Sequence, residues 1–134
     1  MSSAGSSDQG IVQIPSHHSV SATTDRLESL LRERGMIIFA RIDFSGDAAR
    51  AGLAMRPEQL LIFGNPKAGT PLLQAAPTAG LDLPLKALIW EDAEGHVRIA
   101  YNDPQYIVRR HELPAVFSTN FAAALPLLEK AAQP

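Results

Sequence analysis

Between residues 81 and 101 the chain spells out a hairpin. Leu83, Leu85, Ala87 and Ile89 alternate with Lys86, Leu88 and Trp90, the period-two pattern of a strand that ends at Glu91. Asp92-Ala93-Glu94-Gly95 interrupts it. A three-residue loop with Gly95 in the left-handed region pairs Asp92 with His96, sets Ile89 opposite Ile99 and puts Ala87 opposite Tyr101. Apolar side chains then meet apolar side chains across the pair.

The remaining chain interleaves strands and helices. Gly10 to Pro15 suits an edge strand closed by its proline. A helix capped by Thr24 carries Leu27, Leu30 and Leu31 on one stripe and stops at Gly35. Met36 to Asp43 is apolar on both faces, which predicts an interior strand. Ser45 and Asp47 open a short Ala-rich helix to about Leu53, and Gln59 to Phe63 follows as a central strand. Thr70-Pro71 predicts a helix start with Thr70 as cap, its inner face Leu72, Leu73 and Ala76, ended by Pro77 and Gly80. Asp103-Pro104 repeats that device ahead of Ile107, Val108 and His111. Ser118 or Thr119 caps a last helix with Phe121, Leu125 and Leu128, shortened or kinked by Pro126. The expected fold is a single two-layer α+β domain, a mainly antiparallel sheet packed by helices. A mixed α/β sheet with helices on both faces is the alternative.

Length and balance agree with one domain. At 134 residues, with 46% apolar and 19% charged side chains, the chain holds one core. The expected division is a disordered segment over 1–9 and one domain over 10–134. A formal charge of −2 with no basic stripe argues against a nucleic-acid partner. The absence of cysteine removes disulfides, thiolate nucleophiles and Cys-ligated metals. The Ser/Gly-rich start has no apolar core of a signal, and no later run escapes Pro or charge long enough to cross a bilayer. No membrane association is expected, and a cytoplasmic location follows by default.

Few residues point to chemistry. Gly64-Asn65-Pro66-Lys67-Ala68-Gly69-Thr70-Pro71 stands between a strand and a helix start, where free amides and the helix dipole favour an anion. Its glycine spacing fits G-x-x-x-x-G, but Thr70-Pro71 replaces the Lys-Ser/Thr of a phosphate loop, so nucleotide hydrolysis is not expected. An ordinary tight turn explains the same residues. Arg41 and Asp43 close a strand and either pair with each other, meet solvent or face a cleft. Asp82, Lys86 and Trp90 share a strand face with Leu88, either a cleft wall or a covered second face. His17, His18, His96 and His111 form no metal spacing, and no G-x-S-x-G occurs. No metal or cofactor is expected.

ARID (40–43), LAMRPEQLLIFGNPKAGTPLL (53–73), LDLPLKALIWEDAEGHV (81–97) and YNDPQYIVRRH (101–111) together resemble the prokaryotic domain-of-unknown-function family 302, DUF302, over roughly residues 20–113. The resemblance implies a compact, often self-associating α+β domain of the DUF302/TBP-like type with no established activity. The matching motif positions are Arg41, Asp43, Asn65, Pro66, Gly69, Thr70, Lys86, Trp90 and Tyr101. Phe44 stands where family members commonly carry a histidine.

The function expected from these residues is a non-catalytic, homodimeric binding domain. Its ligand, small and in one version anionic, sits near residues 64–71, with Arg41, Asp43, Asn65, Lys67, Gly69, Thr70, Lys86 and Trp90 as binding residues. One alternative is an enzyme using Asp43 as base with Arg41 or Lys86 stabilising negative charge. The other is an assembly module that buries its Trp90 and Leu88 face against a second copy.

Overall fold

The computed structural model describes residues 9–134 together with the backbone of Gly5 and Ser6. The segment 1–9, expected to be disordered, lies outside the described residues apart from that pair and Gln9. The elements are β1 (Gly5–Ser6), β2 (Ile11–Ser16), α1 (Val20–Glu33), β3 (Ile37–Asp43), α2 (Phe44–Arg50), β4 (Glu58–Gly64) and α3 (Pro66–Ala75). A 3-10 segment (Pro77–Leu81) precedes β5 (Leu85–Glu91), β6 (Val97–Asn102) and α4 (Pro104–Arg110). A second 3-10 segment (Ala115–Phe121) and α5 (Leu125–Ala132) complete the chain.

The described strands form one sheet in the order β1-β2-β6-β5-β4-β3, with every neighbouring pair antiparallel. This is the two-layer α+β fold the sequence predicts, and it excludes the mixed-sheet alternative. The β5–β6 hairpin has the register read from the pattern, with Ala87 opposite Tyr101 and Ile89 opposite Ile99. The Asp92 amide donates to the His96 carbonyl at 2.9 Å, and Gly95 turns the loop at φ 85°.

One face of the sheet packs under α1 and α5. Leu27 and Leu31 of α1, Leu61 and Phe63 of β4, Ile89, Ile99 and Leu128 of α5 form a single buried cluster. Each such side chain contributes about 1.5–3 kcal/mol on leaving water. A second cluster, Leu72, Ala79, Ile107, Val108, Leu113 and Phe121, gathers α3, α4 and both 3-10 segments at one end of the sheet. Leu60, Ile62, Leu88 and Trp90 alternate with the core residues of β4 and β5, so they occupy the opposite face, where all four are half-buried.

Several elements begin or sit elsewhere than the pattern predicts. The cap of α1 lies five residues before Thr24: Ser19 accepts the Ala22 amide at 3.1 Å. Thr24 is buried within it and donates its hydroxyl to the Val20 carbonyl at 2.8 Å, because Val20, Thr24, Leu27 and Leu31 form one continuous stripe. Strand β3, expected inside the sheet, is its edge. A bulge between Ile38 and Ala40 switches its faces, and Ile37 and Phe39 stand exposed there. Strand β2, expected at the edge, has β6 on one side and the two residues of β1 on the other. Phe121 belongs to the second 3-10 segment, and α5 begins at Leu125 with Pro126 in its first turn, where the missing N–H removes no helical bond.

Candidate functional site

Strand β4 sends Phe63 into the core and ends at Gly64, where the chain turns into α3. Asn65, in extended backbone at φ −129° and ψ 113°, is the cap of α3, and Pro66 opens the first turn. This is the cap-plus-proline device expected at Thr70-Pro71; Thr70 and Pro71 instead lie inside the helix. The Asn65 side chain accepts the Lys67 amide at 3.0 Å, and its carbonyl accepts the amides of Ala68 and Gly69 at 2.9 Å each. Pro66 brings no N–H, so the amides of this turn are internally bonded.

The same corner forms one side of a cavity of about 260 Å³. Met36, just ahead of β3, and Phe39 of β3 close it on one side, with Leu73 from α3, Leu83 and Leu85 from the entry to β5, and Phe121 from the second 3-10 segment. Asn65, Thr70 and Asn120 are the polar side chains among its described lining residues, none of which is charged. Asn120 donates to the Ala68 carbonyl at 2.8 Å, tying the second 3-10 segment to the first turn of α3. Gly69 also lines the space, and a Cβ built there meets no heavy atom within 4 Å. An apolar concavity with a few fixed polar groups is the usual form of a small-molecule site.

The structure does not gather the residues singled out from sequence into one place. Asn65, Gly69 and Thr70 line the cavity, whereas the Lys67 side chain is exposed and outside its lining. Arg41 and Asp43 lie at the far end of β3 and do not pair with each other. Arg41 donates to Asp25 at 2.7 Å, to Glu28 at 3.4 Å and to the Gln59 side chain at 2.9 Å, which anchors the sheet edge to α1. Asp43 is the cap of α2: its carboxylate accepts the Gly46 amide at 3.0 Å and the Ser45 hydroxyl at 2.7 Å. Those bonds, the Gly46 amide first, hold its carboxyl below the ordinary value.

Lys86 and Trp90 lie on the opposite sheet face with Leu88, as the alternation implies. Lys86 donates to the Pro84 carbonyl at 3.2 Å. Trp90 donates its indole N–H to Gln13 at 2.9 Å, with the Arg98 guanidinium 5.3 Å from its ring centre. Asp82 lies outside β5 and away from that face; it pairs with Arg110 and His111. Tyr101, a motif position beside a small crevice, has its hydroxyl raised by burial, with Glu129 and Asp103 adding to the rise.

Sequence reasoning missed the apolar walls. Met36, Phe39, Leu73, Leu83 and Phe121 come from separate elements, and no spacing rule joins them. Only the fold marks two of them: Phe39 and Leu73 are large apolar residues left 52% and 37% exposed, where a buried strand and an inner helix face were expected.

A family model described as "Domain of unknown function DUF302" matches residues 12–132. Two curated proteins are each 45% identical to the chain over 106 residues, 79% of its length. They are the fluoride-specific ion channel FluC 1 of Brucella suis biovar 1 (strain 1330) and FluC 2 of Brucella melitensis biotype 1 (strain ATCC 23456). The aligned part covers 42% and 39% of those proteins, so the chain spans about two-fifths of their length. Among solved structures, the crystal structure of an uncharacterized conserved DUF302 protein from Bacillus stearothermophilus superposes with a TM-score of 0.74 at 18% identity. The match covers 92% of this chain and 95% of that one, and it shows a shared fold.

Proposed function

The chain belongs to the DUF302 family, and within it we propose a binding domain whose corner cavity receives a small, predominantly apolar molecule without transforming it. The observation that carries this is the uncharged cavity between Phe39, Leu73 and Phe121. Internally bonded amides at Lys67, Ala68 and Gly69 weigh against an anion seated on the helix start. An anionic end on the ligand would therefore face the rim, where Lys67 is exposed between the lining residues Pro66 and Ala68. Titrating isotope-labelled protein with indole and with hexanoate tests the assignment. Amide shifts should concentrate at Phe39, Gly69, Leu73 and Phe121. No shift at millimolar ligand, or shifts scattered over the surface, would count against it.

Catalysis by Asp43 is the less favoured function. Its carboxylate already caps α2, a lowered carboxyl is a weaker base, and Arg41 is committed to Asp25 and Glu28.

We also propose that the chain is a homodimer joined through the sheet face of Leu60, Ile62, Leu88 and Trp90. Half-buried apolar side chains on a face turned away from α1 and α5 support this. Light scattering should give twice the chain mass, and Leu88→Glu should give the monomer; a concentration-independent monomer in the unmodified chain refutes it.

The Brucella relatives suggest a channel partner. In them a segment similar to this chain is part of a longer protein named as a fluoride channel, and no described helix here is long and apolar enough to cross a membrane. We read this chain as the counterpart of that segment. Deleting the segment from the Brucella channel should alter fluoride tolerance, and this chain supplied separately should restore it; unchanged tolerance in both cases removes the link.

A further inference from the structure

The first 3-10 segment and the end of α4 bring a hydroxyl, an imidazole and a carboxylate into line. His111 Nε2 lies 2.6 Å from Asp82 Oδ2, and His111 Nδ1 lies 3.0 Å from Thr78 Oγ1. Arg110 donates through Nη1 to both Asp82 oxygens, at 3.0 and 3.1 Å. The imidazole is 4% exposed and the carboxylate 12%, while Thr78 is open to solvent.

The directions of these bonds follow from donor chemistry. An ionised carboxylate only accepts, so the proton of the neutral ring sits on Nε2 and Nδ1 presents a lone pair. The Thr78 hydroxyl then donates into Nδ1. The order is hydroxyl to imidazole to carboxylate, the arrangement that activates a nucleophilic hydroxyl. Arg110 and Asp82 would suffice for a structural tie between α4 and the entry to β5. The Thr78 bond satisfies the second nitrogen of the buried ring and also leaves a solvent-exposed hydroxyl in contact with it.

We propose that Thr78 is a nucleophile, activated by His111, that accepts the acyl group of a small carboxylic ester. None of Thr78, Asp82 and His111 lines the corner cavity, so this site is independent of the ligand proposed there. In the reaction Thr78 Oγ bonds to the ester carbonyl carbon while its proton passes to His111 Nδ1. The bond from that carbon to the alkoxide oxygen breaks, and the same proton goes to the alkoxide. The products are acyl-threonine and a free alcohol, with no change in oxidation state. Asp82 holds the ring and balances its transient charge. A small donor is specified because the methyl group on the branched Cβ of Thr78 crowds the approach of a bulky acyl carbon.

The full chain incubated with p-nitrophenyl acetate and mapped by mass spectrometry tests this. Acetylation should appear on Thr78, about a hundredfold faster than in His111→Gln. Thr78→Ser should keep the modification and Thr78→Val should lose it. Both leave the Asp82–His111 bond in place, so they decide the matter even where His111→Gln fails to fold. Acetyl groups confined to lysines and the amino terminus, or equal rates at Thr78 with and without His111, would overturn the proposal.

Discussion

Asn65 accepts the Lys67 amide at 3.0 Å, and that one bond shapes what the corner of the molecule can hold. The side chain that starts the helix occupies the donor an anion would seek, and the Asn65 carbonyl takes the next two amides. Recognition at this corner therefore falls to the apolar walls on its other side.

Asn65→Ala should cost about 1 kcal/mol of stability in urea unfolding, since it removes the cap of α3. Asn65→Asp should recover most of it. Lys67→Ala, at an exposed position with no side-chain partner among the described contacts, should stay within about 0.5 kcal/mol of the unmodified chain.

Gly69 lies within α3 with nothing near its absent Cβ. Gly69→Ala should stabilise by about 0.5–1 kcal/mol, because it restores helix propensity without a clash. Gly69→Leu should fold equally well and project into the cavity, weakening any indole response while leaving unfolding cooperative.

Gly10→Ala should be harmful. Gly10 has φ 78°, and a Cβ there would overlap the Tyr106 ring, which leaves neither conformational nor steric room. A loss above about 1 kcal/mol is expected on strain alone, measured by thermal or urea unfolding.

Acid should destabilise the fold partly through Asp43 and Asp92. Both carboxyls are lowered in the folded chain, Asp43 chiefly by the Gly46 amide and Asp92 chiefly by the His96 amide. A folded value below the unfolded one means their contribution is complete above the ordinary carboxylate range and is lost as pH falls through the lowered folded value. Asp43→Asn should flatten the stability profile over that window and converge with the unmodified chain in stronger acid.

The hairpin was legible because its signal is local. Alternation on both sides of Asp92–Gly95 fixes the register without reference to anything distant, and the Asp103-Pro104 helix start is equally self-contained. Strand β3 was misplaced for the opposite reason. Apolar residues on both its faces look like burial between neighbours, yet they arise from α1 on one side, the open sheet face on the other, and a bulge at Phe39. Thr70-Pro71 and Asn65-Pro66 carry the same cap signal five residues apart, and the end of β4 selects the earlier one. Asn65, Gly69 and Thr70, which line the cavity, could be picked out together because they stand within six residues of one another in the chain. Their apolar counterparts could not, since only the fold brings β3, the entry to β5 and Phe121 to the same corner.

Soaking crystals of the chain with bromobenzene, located by its anomalous signal, shows whether the corner cavity takes up an apolar ligand. Bromine is predicted between Phe39, Leu73 and Phe121, and absent from that position in Gly69→Leu crystals. An empty corner in the unmodified chain, or bromine found only on the outer sheet face, would contradict a ligand site there.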